Sequence, residues 1–187
     1  MQLKDYIRTV ADFPKPGILY RDITSLLKSA EAFSQVIEQF RLRYIDAKID
    51  YVIGIESRGF IFGTPLAHAL GVGFIPIRKP GKLPAEHYSI SYQLEYGEDS
   101  LEIHKDAIED GARVLLIDDL LATGGTANAA AQLLQNFNCK LHEFAFVIEL
   151  NELAGRKQLD SFGESHSLLQ YWYCLVLPAD LDQRFTL

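Results

Sequence analysis

Four apolar runs constrain this chain more than any other feature. "YVIGI" (Tyr51–Ile55), "FIPI" (Phe74–Ile77), "RVLLI" (Arg113–Ile117) and "LHEFAFVIEL" (Leu141–Leu150) are apolar along most of their length. A strand with one wet face alternates polar and apolar residues. A strand apolar on both faces is buried on both, which is the pattern of a parallel sheet covered by helices on each side. The segments between the runs read as those helices. Ser29 can cap a helix running to about Arg43, with Phe33, Val36, Ile37 and Phe40 on one face. "FIFGTPLAHAL" (Phe60–Leu70) reads as helix although Pro65 costs about 3 kcal/mol in a helix interior. Thr126–Phe137 is a third helix, and Leu3–Val10 a short amphipathic one. The expected fold is α/β, a mostly parallel central sheet flanked by helices.

Two stretches break the alternation. "DFPKPG" (Asp12–Gly17) is a rigid turn, because two prolines fix φ and a glycine frees it. "RKPGKLPAEHYS" (Arg78–Ser89) cannot form a regular element. It is followed by "SISYQLEY" (Ser89–Tyr96) and "SLEIH" (Ser100–His104), which alternate like half-solvated antiparallel strands. Residues 78–104 are therefore an antiparallel excursion from the parallel plan, expected to be flexible. No internal repeat is present.

At 187 residues the chain is long enough for one domain with a real core. Its N-terminus, "MQLKDYIRTVADF", carries charges throughout and is not a signal peptide. No run approaches the roughly 18 apolar residues of a membrane span, so a cytoplasmic location and no membrane partner are expected. Cys139 and Cys174 match no metal spacing, and the histidines are scattered. A net charge of −7 argues against a nucleic-acid surface. Any anionic ligand must then be held by local positive features.

The stretch "VLLIDDLLATGGT" supplies such a feature and a contradiction with it. Its strand is expected to end at Ile117 and its helix to begin near Thr126, so the intervening loop lies at the carboxyl edge of the sheet, where such folds bind ligands. Gly124 and Gly125 let backbone approach a ligand. Thr123 and Thr126 offer hydroxyls, and the helix N-terminus completes an anion site. No Walker lysine and no GxGxxG are present. Yet Asp118 and Asp119 stand directly before this loop and repel phosphate. A ribose 5-phosphate resolves the conflict: its diol donates to the two carboxylates while its phosphate sits in the glycine loop. The plain alternative is an acidic pair that solvates a strand end.

A second strand end, in "YVIGIESRGFIFG", offers Arg58 between Ser57 and Gly59. With Lys79 and Lys82 in the proline-glycine loop, Arg58 makes a second anion site. The ligand thus carries a ribose, a 5-phosphate and a further anionic group.

These stretches resemble a known family. "VLLIDDLLATGGT" is similar to the phosphoribosyl pyrophosphate (PRPP) signature of the type I phosphoribosyltransferases. The segments "DFPKPGILYRDIT", "GIESRGFIFG", "RKPGKLP", "SYQLEYGEDSLEIHKDAI" and "VLLIDDLLATGGTANA", in that order over about residues 3–170, resemble the adenine phosphoribosyltransferases more narrowly. The resemblance implies transfer of the 5-phosphoribosyl group from PRPP to adenine, giving AMP and pyrophosphate. It implies that Asp118 and Asp119 hold the ribose hydroxyls and that Ala122, Thr123, Gly124, Gly125 and Thr126 cradle the 5-phosphate. Arg58, Lys79 and Lys82 hold the pyrophosphate. Leu19 and Arg21, in an N-terminal hood of about residues 1–28, read adenine through backbone groups. Glu95 and Tyr96 belong to a mobile loop that closes over the substrates, with Glu95 as the catalytic carboxylate. Magnesium travels with PRPP rather than on protein ligands, and the family forms homodimers.

Other readings accompany these. A lone glutamate in an alternating strand, such as Glu95, ordinarily just faces solvent. Arg21 could merely pair with Asp22, and Tyr20 reads as core rather than as a group that meets the base. His87 and His104 lack a partner that would make them proton carriers. Residues 172–187 run beyond the usual family end and are expected to add an edge strand or to pad a dimer contact. A guanine or hypoxanthine transferase is the runner-up activity. A PRPP-sensing regulator is disfavoured by the acidic composition and the absence of a DNA-binding module before Met1.

Overall fold

The computed structural model describes residues 2–94 and 97–172. Five parallel strands form the central sheet in the order β4-β3-β7-β8-β9: β4 is Gly73–Ile77, β3 Tyr51–Ile55, β7 Arg113–Leu121, β8 Lys140–Leu150 and β9 Ser165–Tyr171. The apolar runs are buried on both faces, as a covered parallel sheet requires. Val114 and Leu116 of β7, with Phe144 and Phe146 of β8, enter one core; Leu115 and Ile117, with Ala145 and Val147, enter the other. Period-two alternation therefore survives inside a run that is apolar throughout.

Helices α2 (Ala30–Tyr44) and α3 (Arg58–Leu70) contribute to one core, with the short α1 (Thr24–Lys28) beside them. Helix α4 (Gly125–Leu134) and the antiparallel hairpin of β5 (His87–Leu94) and β6 (Gly97–His104) contribute to the other. Ser29 caps α2 as expected, its hydroxyl accepting from the Ala32 N–H at 3.2 Å, a contact worth about 1 kcal/mol. Pro65 lies inside α3. Its cost of about 3 kcal/mol is offset by Phe62 and Leu66, both fully buried and each worth roughly 1.5–3 kcal/mol.

Helix α4 ends at Leu134 rather than Phe137, and four larger departures from the sequence reading stand out. Leu3–Val10 is not one helix: a 3-10 turn spans Leu3–Tyr6, and Arg8–Ala11 is strand β1, paired antiparallel with β2 (Leu19–Asp22) around the proline turn. Strand β7 does not stop at Ile117. Its pairing with β3 ends there, but pairing with β8 continues to Leu121↔Glu149, so Asp118 and Asp119 lie within a strand. Strand β5 begins at His87, leaving residues 79–86 as the irregular part of the excursion. Finally, β9 is a fifth parallel strand with no counterpart in the sequence reading. The expectation for the C-terminal extension lies outside the described residues apart from Trp172, which is exposed.

Candidate active site

Strand order places the site. From β3 the chain steps outward to β4, whereas β7 lies on the other side of β3, so the connections leaving β3 and β7 diverge. That is a topological switch point, where the carboxyl ends of adjacent strands open a crevice. The connection after β3 leads through Glu56 and Ser57 into α3. The connection after β7 leads through Ala122–Gly124 into α4. Arg58 and the Asp118–Thr126 segment line one cavity of about 160 Å³ at this point.

The N-terminus of α3 packs tightly on the end of β7. A Cβ at Gly59 would stand 2.8 Å from the Ile117 carbonyl oxygen and 3.1 Å from Asp118 Oδ1. This close approach lets Arg58 reach across: its Nε lies 3.1 Å from Asp119 Oδ2. Burial and the charge of Asp119 push the Asp118 carboxyl well above the ordinary carboxylate range. Asp119 is also raised by burial, with Arg58 opposing the shift.

The phosphate-type loop has a rigid shape. Gly124 adopts φ +89° as the residue that enters α4, a conformation open to glycine at little cost. Behind it lies Gly155, at the start of a 3-10 turn over Gly155–Gln158. A Cβ at Gly155 would stand 2.3 Å from the Ala122 carbonyl oxygen. The turn is anchored by Arg156, whose Nε and Nη2 donate to both carboxylate oxygens of Glu149 at 2.6 Å.

The three expected pyrophosphate cations each meet a carboxylate. Arg58 meets Asp119, Lys79 meets Asp99, and Lys82 meets Glu56. Arg58 lines the glycine-loop cavity, whereas the lysines are not among its described lining residues. Lys79 is linked to it indirectly. Its Nζ donates to the Tyr92 hydroxyl at 3.2 Å, and Thr126 Oγ1 donates to the same hydroxyl at 3.4 Å. Glu56 is the hub of the 78–82 loop, accepting from Arg78 Nε and the Lys79 N–H at 2.9 Å as well as from Lys82. Burial alone would raise its pKa, but the hydrogen bonds from Lys82, Arg78 and the Lys79 backbone bring it down to about 2.

The N-terminal hairpin reaches the same site. Arg58 Nη1 donates to the Tyr20 hydroxyl at 3.1 Å, so a residue assigned to the core from sequence touches the cavity's arginine. Leu19 and Arg21 flank it on β2. The Arg21 side chain does not pair with Asp22, which accepts from Thr24 and pairs with Arg8 at 3.8 Å. Instead Arg21 donates to Thr9 and stacks over Tyr171. Glu95 and Tyr96 lie outside the described residues. Sequence reasoning missed Tyr20, Glu56, Tyr92 and Gly155. Glu56 alone had a local signal, as the first residue after a buried strand and next to Ser57 and Arg58.

The phosphoribosyl transferase domain family matches residues 19–168. An adenine phosphoribosyltransferase of Acaryochloris marina is 62% identical over 159 residues, covering 85% of this chain and 94% of the relative. The chain belongs to that family. It transfers the 5-phosphoribosyl group from PRPP to adenine, giving AMP and pyrophosphate. Solved family members share the fold. The enzyme of Thermoanaerobacter pseudethanolicus superposes with a TM-score of 0.86 at 51% identity, over 90% of this chain and 98% of that one. The enzyme of Saccharomyces cerevisiae, solved with an imino-altritol bisphosphate and adenine, gives a TM-score of 0.85 at 44% identity, over 89% and 96%.

Proposed function

We propose that the phosphoribosyl transfer takes place in the cavity between Arg58, the Asp118–Asp119 pair and the N-terminus of α4. The observation that carries this reading is their convergence at the switch point: two carboxylates for a diol, and backbone N–H groups with a helix dipole for the 5-phosphate. In this reading Ala122–Thr126 hold the 5-phosphate and Asp118 and Asp119 accept from the ribose hydroxyls. The diol replaces the Arg58 ion pair on Asp119, which frees the guanidinium for the pyrophosphate. Lys79 and Lys82 move from Asp99 and Glu56 to the same leaving group. Cations on pyrophosphate stabilise the charge that develops as the anomeric C–O bond breaks.

Adenine lies against β2, read by backbone groups of Leu19 and Arg21 in the hood, and N9 attacks the anomeric carbon. Glu95 takes the proton that N9 gives up, and Tyr96 belongs to the same closing loop. Among the described residues no group of three His, Cys, Asp or Glu side chains gathers to form a metal cage. Two carboxylates beside a ligand rich in phosphate oxygens suit magnesium, which keeps most of its water and needs few protein ligands. Asp118 and Asp119 would face that ion, which supplies charge neutralisation to the pyrophosphate. A homodimer and a cytoplasmic location complete the proposal. No described helix is long and apolar enough to cross a membrane, and sedimentation tests the dimer.

Turnover of radiolabelled adenine with PRPP, run beside hypoxanthine and guanine, tests the reading. Adenine pairs a donor amine with an acceptor ring nitrogen, whereas the other two pair a carbonyl with a ring N–H. Backbone groups matched to adenine would meet like against like, and unpaired buried polar groups give discrimination of about 10⁴. Comparable turnover of the three bases would overturn the assignment of Leu19 and Arg21.

A further inference from the structure

We propose that Tyr171 is a positioning residue for the base: its ring, stacked with the Arg21 guanidinium, clamps β2 from the side opposite the cavity and fixes the backbone that reads adenine. The inference rests on the proposed placement of adenine against Leu19 and Arg21. It starts from the isolation of the hairpin. Among the described residues strands β1 and β2 pair only with each other and join no larger sheet, and a lone two-stranded hairpin is marginally stable in water. Its ends are tied down by buried Ile7 and Ile23, but β1 itself is almost entirely exposed and none of β2 is fully buried. Side-chain contacts must therefore set where β2 lies.

Those contacts come from two sides. Successive residues of a strand point to opposite faces. Tyr20 projects toward the cavity and accepts from Arg58. Arg21 projects the other way, where its Cζ lies 4.2 Å from the centroid of the Tyr171 ring and its guanidinium also donates to Thr9. Lys4 Nζ lies 5.4 Å from the same ring, so Tyr171 gathers two cations of the N-terminal segment. Tyr171 is the last residue of β9, at the edge of the main sheet. The clamp thus ties the hood directly to the sheet that carries Asp118 and Asp119. Among the described residues the Tyr171 hydroxyl and Arg21 Nε are buried with no hydrogen-bond partner. The ring face, and not the hydroxyl, holds the arginine.

Replacing the ring and replacing the hydroxyl separate the two contributions. In steady-state kinetics of the full chain, Tyr171→Leu should raise the KM for adenine about three- to tenfold, the range of a partly buried cation–π contact. The KM for PRPP and kcat should stay within twofold. Tyr171→Phe should match the wild type. In a double-mutant cycle, adding Arg21→Met to Tyr171→Leu should raise the adenine KM less than Arg21→Met does alone. Equal damage from Tyr171→Phe and Tyr171→Leu, or PRPP and adenine KM values rising together, would overturn the clamp. If Tyr171→Leu does not fold, Tyr171→Trp, which keeps an aromatic face, takes its place beside Tyr171→Phe, and a raised adenine KM in both would count against the ring. Photolabelling of the wild type with an azido-substituted adenine separates the two levels. Label within residues 13–22 with an unmoved adenine KM in Tyr171→Leu overturns the clamp alone; label elsewhere overturns the placement of adenine on which it rests.

Discussion

The carbonyl oxygen of Gly155 lies where a side chain at Gly124 would begin: a Cβ on Gly124 would stand 2.5 Å from it. The exclusion is mutual, because a Cβ on Gly155 would meet the Ala122 carbonyl oxygen at 2.3 Å. The glycine loop is therefore shaped by a backbone-on-backbone contact as well as by its own φ angles. Gly155→Ala, far from the glycine loop in sequence, should raise the KM for PRPP at least about fivefold, since displaced backbone of this kind costs roughly 1–3 kcal/mol. The KM for adenine should change little. Gly124→Val should do the same, but it confounds phosphate approach with the Gly155 contact. Steady-state kinetics of Gly155→Ala decide the matter, and an unchanged KM for PRPP would show that the contact does not set the loop's affinity.

The acidic pair links stability to function with opposite signs. Asp118 is held above its ordinary pKa by burial and by Asp119. A carboxyl raised in the folded state binds its proton more tightly there, so stability falls as pH rises from the unfolded pKa through the folded one. The disfavoured charge of Asp118 in the folded state costs stability that an amide would not. Asp118→Asn should therefore melt a few degrees higher than the wild type at pH 7 without ligand, a shift of about 2–4 °C per kcal/mol for a chain of this size. The same change removes a charged acceptor worth roughly 1.5–3 kcal/mol, so affinity for PRPP with magnesium should fall about ten- to hundredfold. Asp119→Asn should weaken PRPP similarly. Calorimetry showing unchanged PRPP affinity in both variants would reduce the pair to a solvated strand end.

Glu56 has the opposite sign. Its pKa is lowered from 4.5 to about 2 by Lys82, Arg78 and the Lys79 N–H, against the effect of burial. A lowered carboxyl contributes stability above its unfolded pKa and loses it as pH falls toward the folded value. Glu56→Gln should melt several degrees below the wild type at pH 7. The contribution is at most about 3 kcal/mol, because its partners are partly solvated. The gap should close as pH falls from about 4.5 to about 2. A constant gap across that range, read by thermal melts, would show that the charge on Glu56 is not what holds the 78–82 loop.

The legible parts of this fold and site were those written within one segment. The doubly buried runs at Ile53 and Leu115 could only be covered parallel strands, and Ser29 announced its helix. Asp118, Asp119 and Ala122–Thr126 are neighbours in sequence, so their juxtaposition followed from a single strand-loop-helix reading. What could not be read depends on distant partners. Strand β7 runs past Ile117 because β8 continues to pair after β3 has ended. Gly155 is an ordinary glycine until it is laid against Ala122. Tyr20 resembles any half-buried aromatic until Arg58 arrives from 38 residues away. The cations at Lys79 and Lys82 looked free for an anion, yet carboxylates from Asp99 and Glu56 hold them. β9 was missed because "SHSLLQY" is too polar to read as a buried strand, as suits the sheet's edge.

The proton of adenine requires an acceptor, and the chemistry restricts where it can come from. Neutral adenine carries a proton on its imidazole ring, and bond formation at N9 makes that ring electron-poor. The proton must leave, directly or by exchange through N7, as pyrophosphate departs. In the proposed reading Asp118 and Asp119 are engaged by the ribose hydroxyls, and Glu56 is held at a pKa of about 2 by its cations and the Lys79 N–H, far too acidic to hold a proton at neutral pH. Glu95, in the segment that the family resemblance places over the base, is the carboxylate we propose for the role. Loop closure would also keep water from an oxocarbenium-like sugar. Positioned general acid–base groups contribute about 10²–10⁴-fold, so Glu95→Gln should slow the chemical step at least about 10²-fold with little change in substrate affinity. Single-turnover formation of AMP is the measurement to make, because slow product release can conceal a slower chemical step. AMP formed by Glu95→Gln at the wild-type single-turnover rate would move the proton to backbone or water.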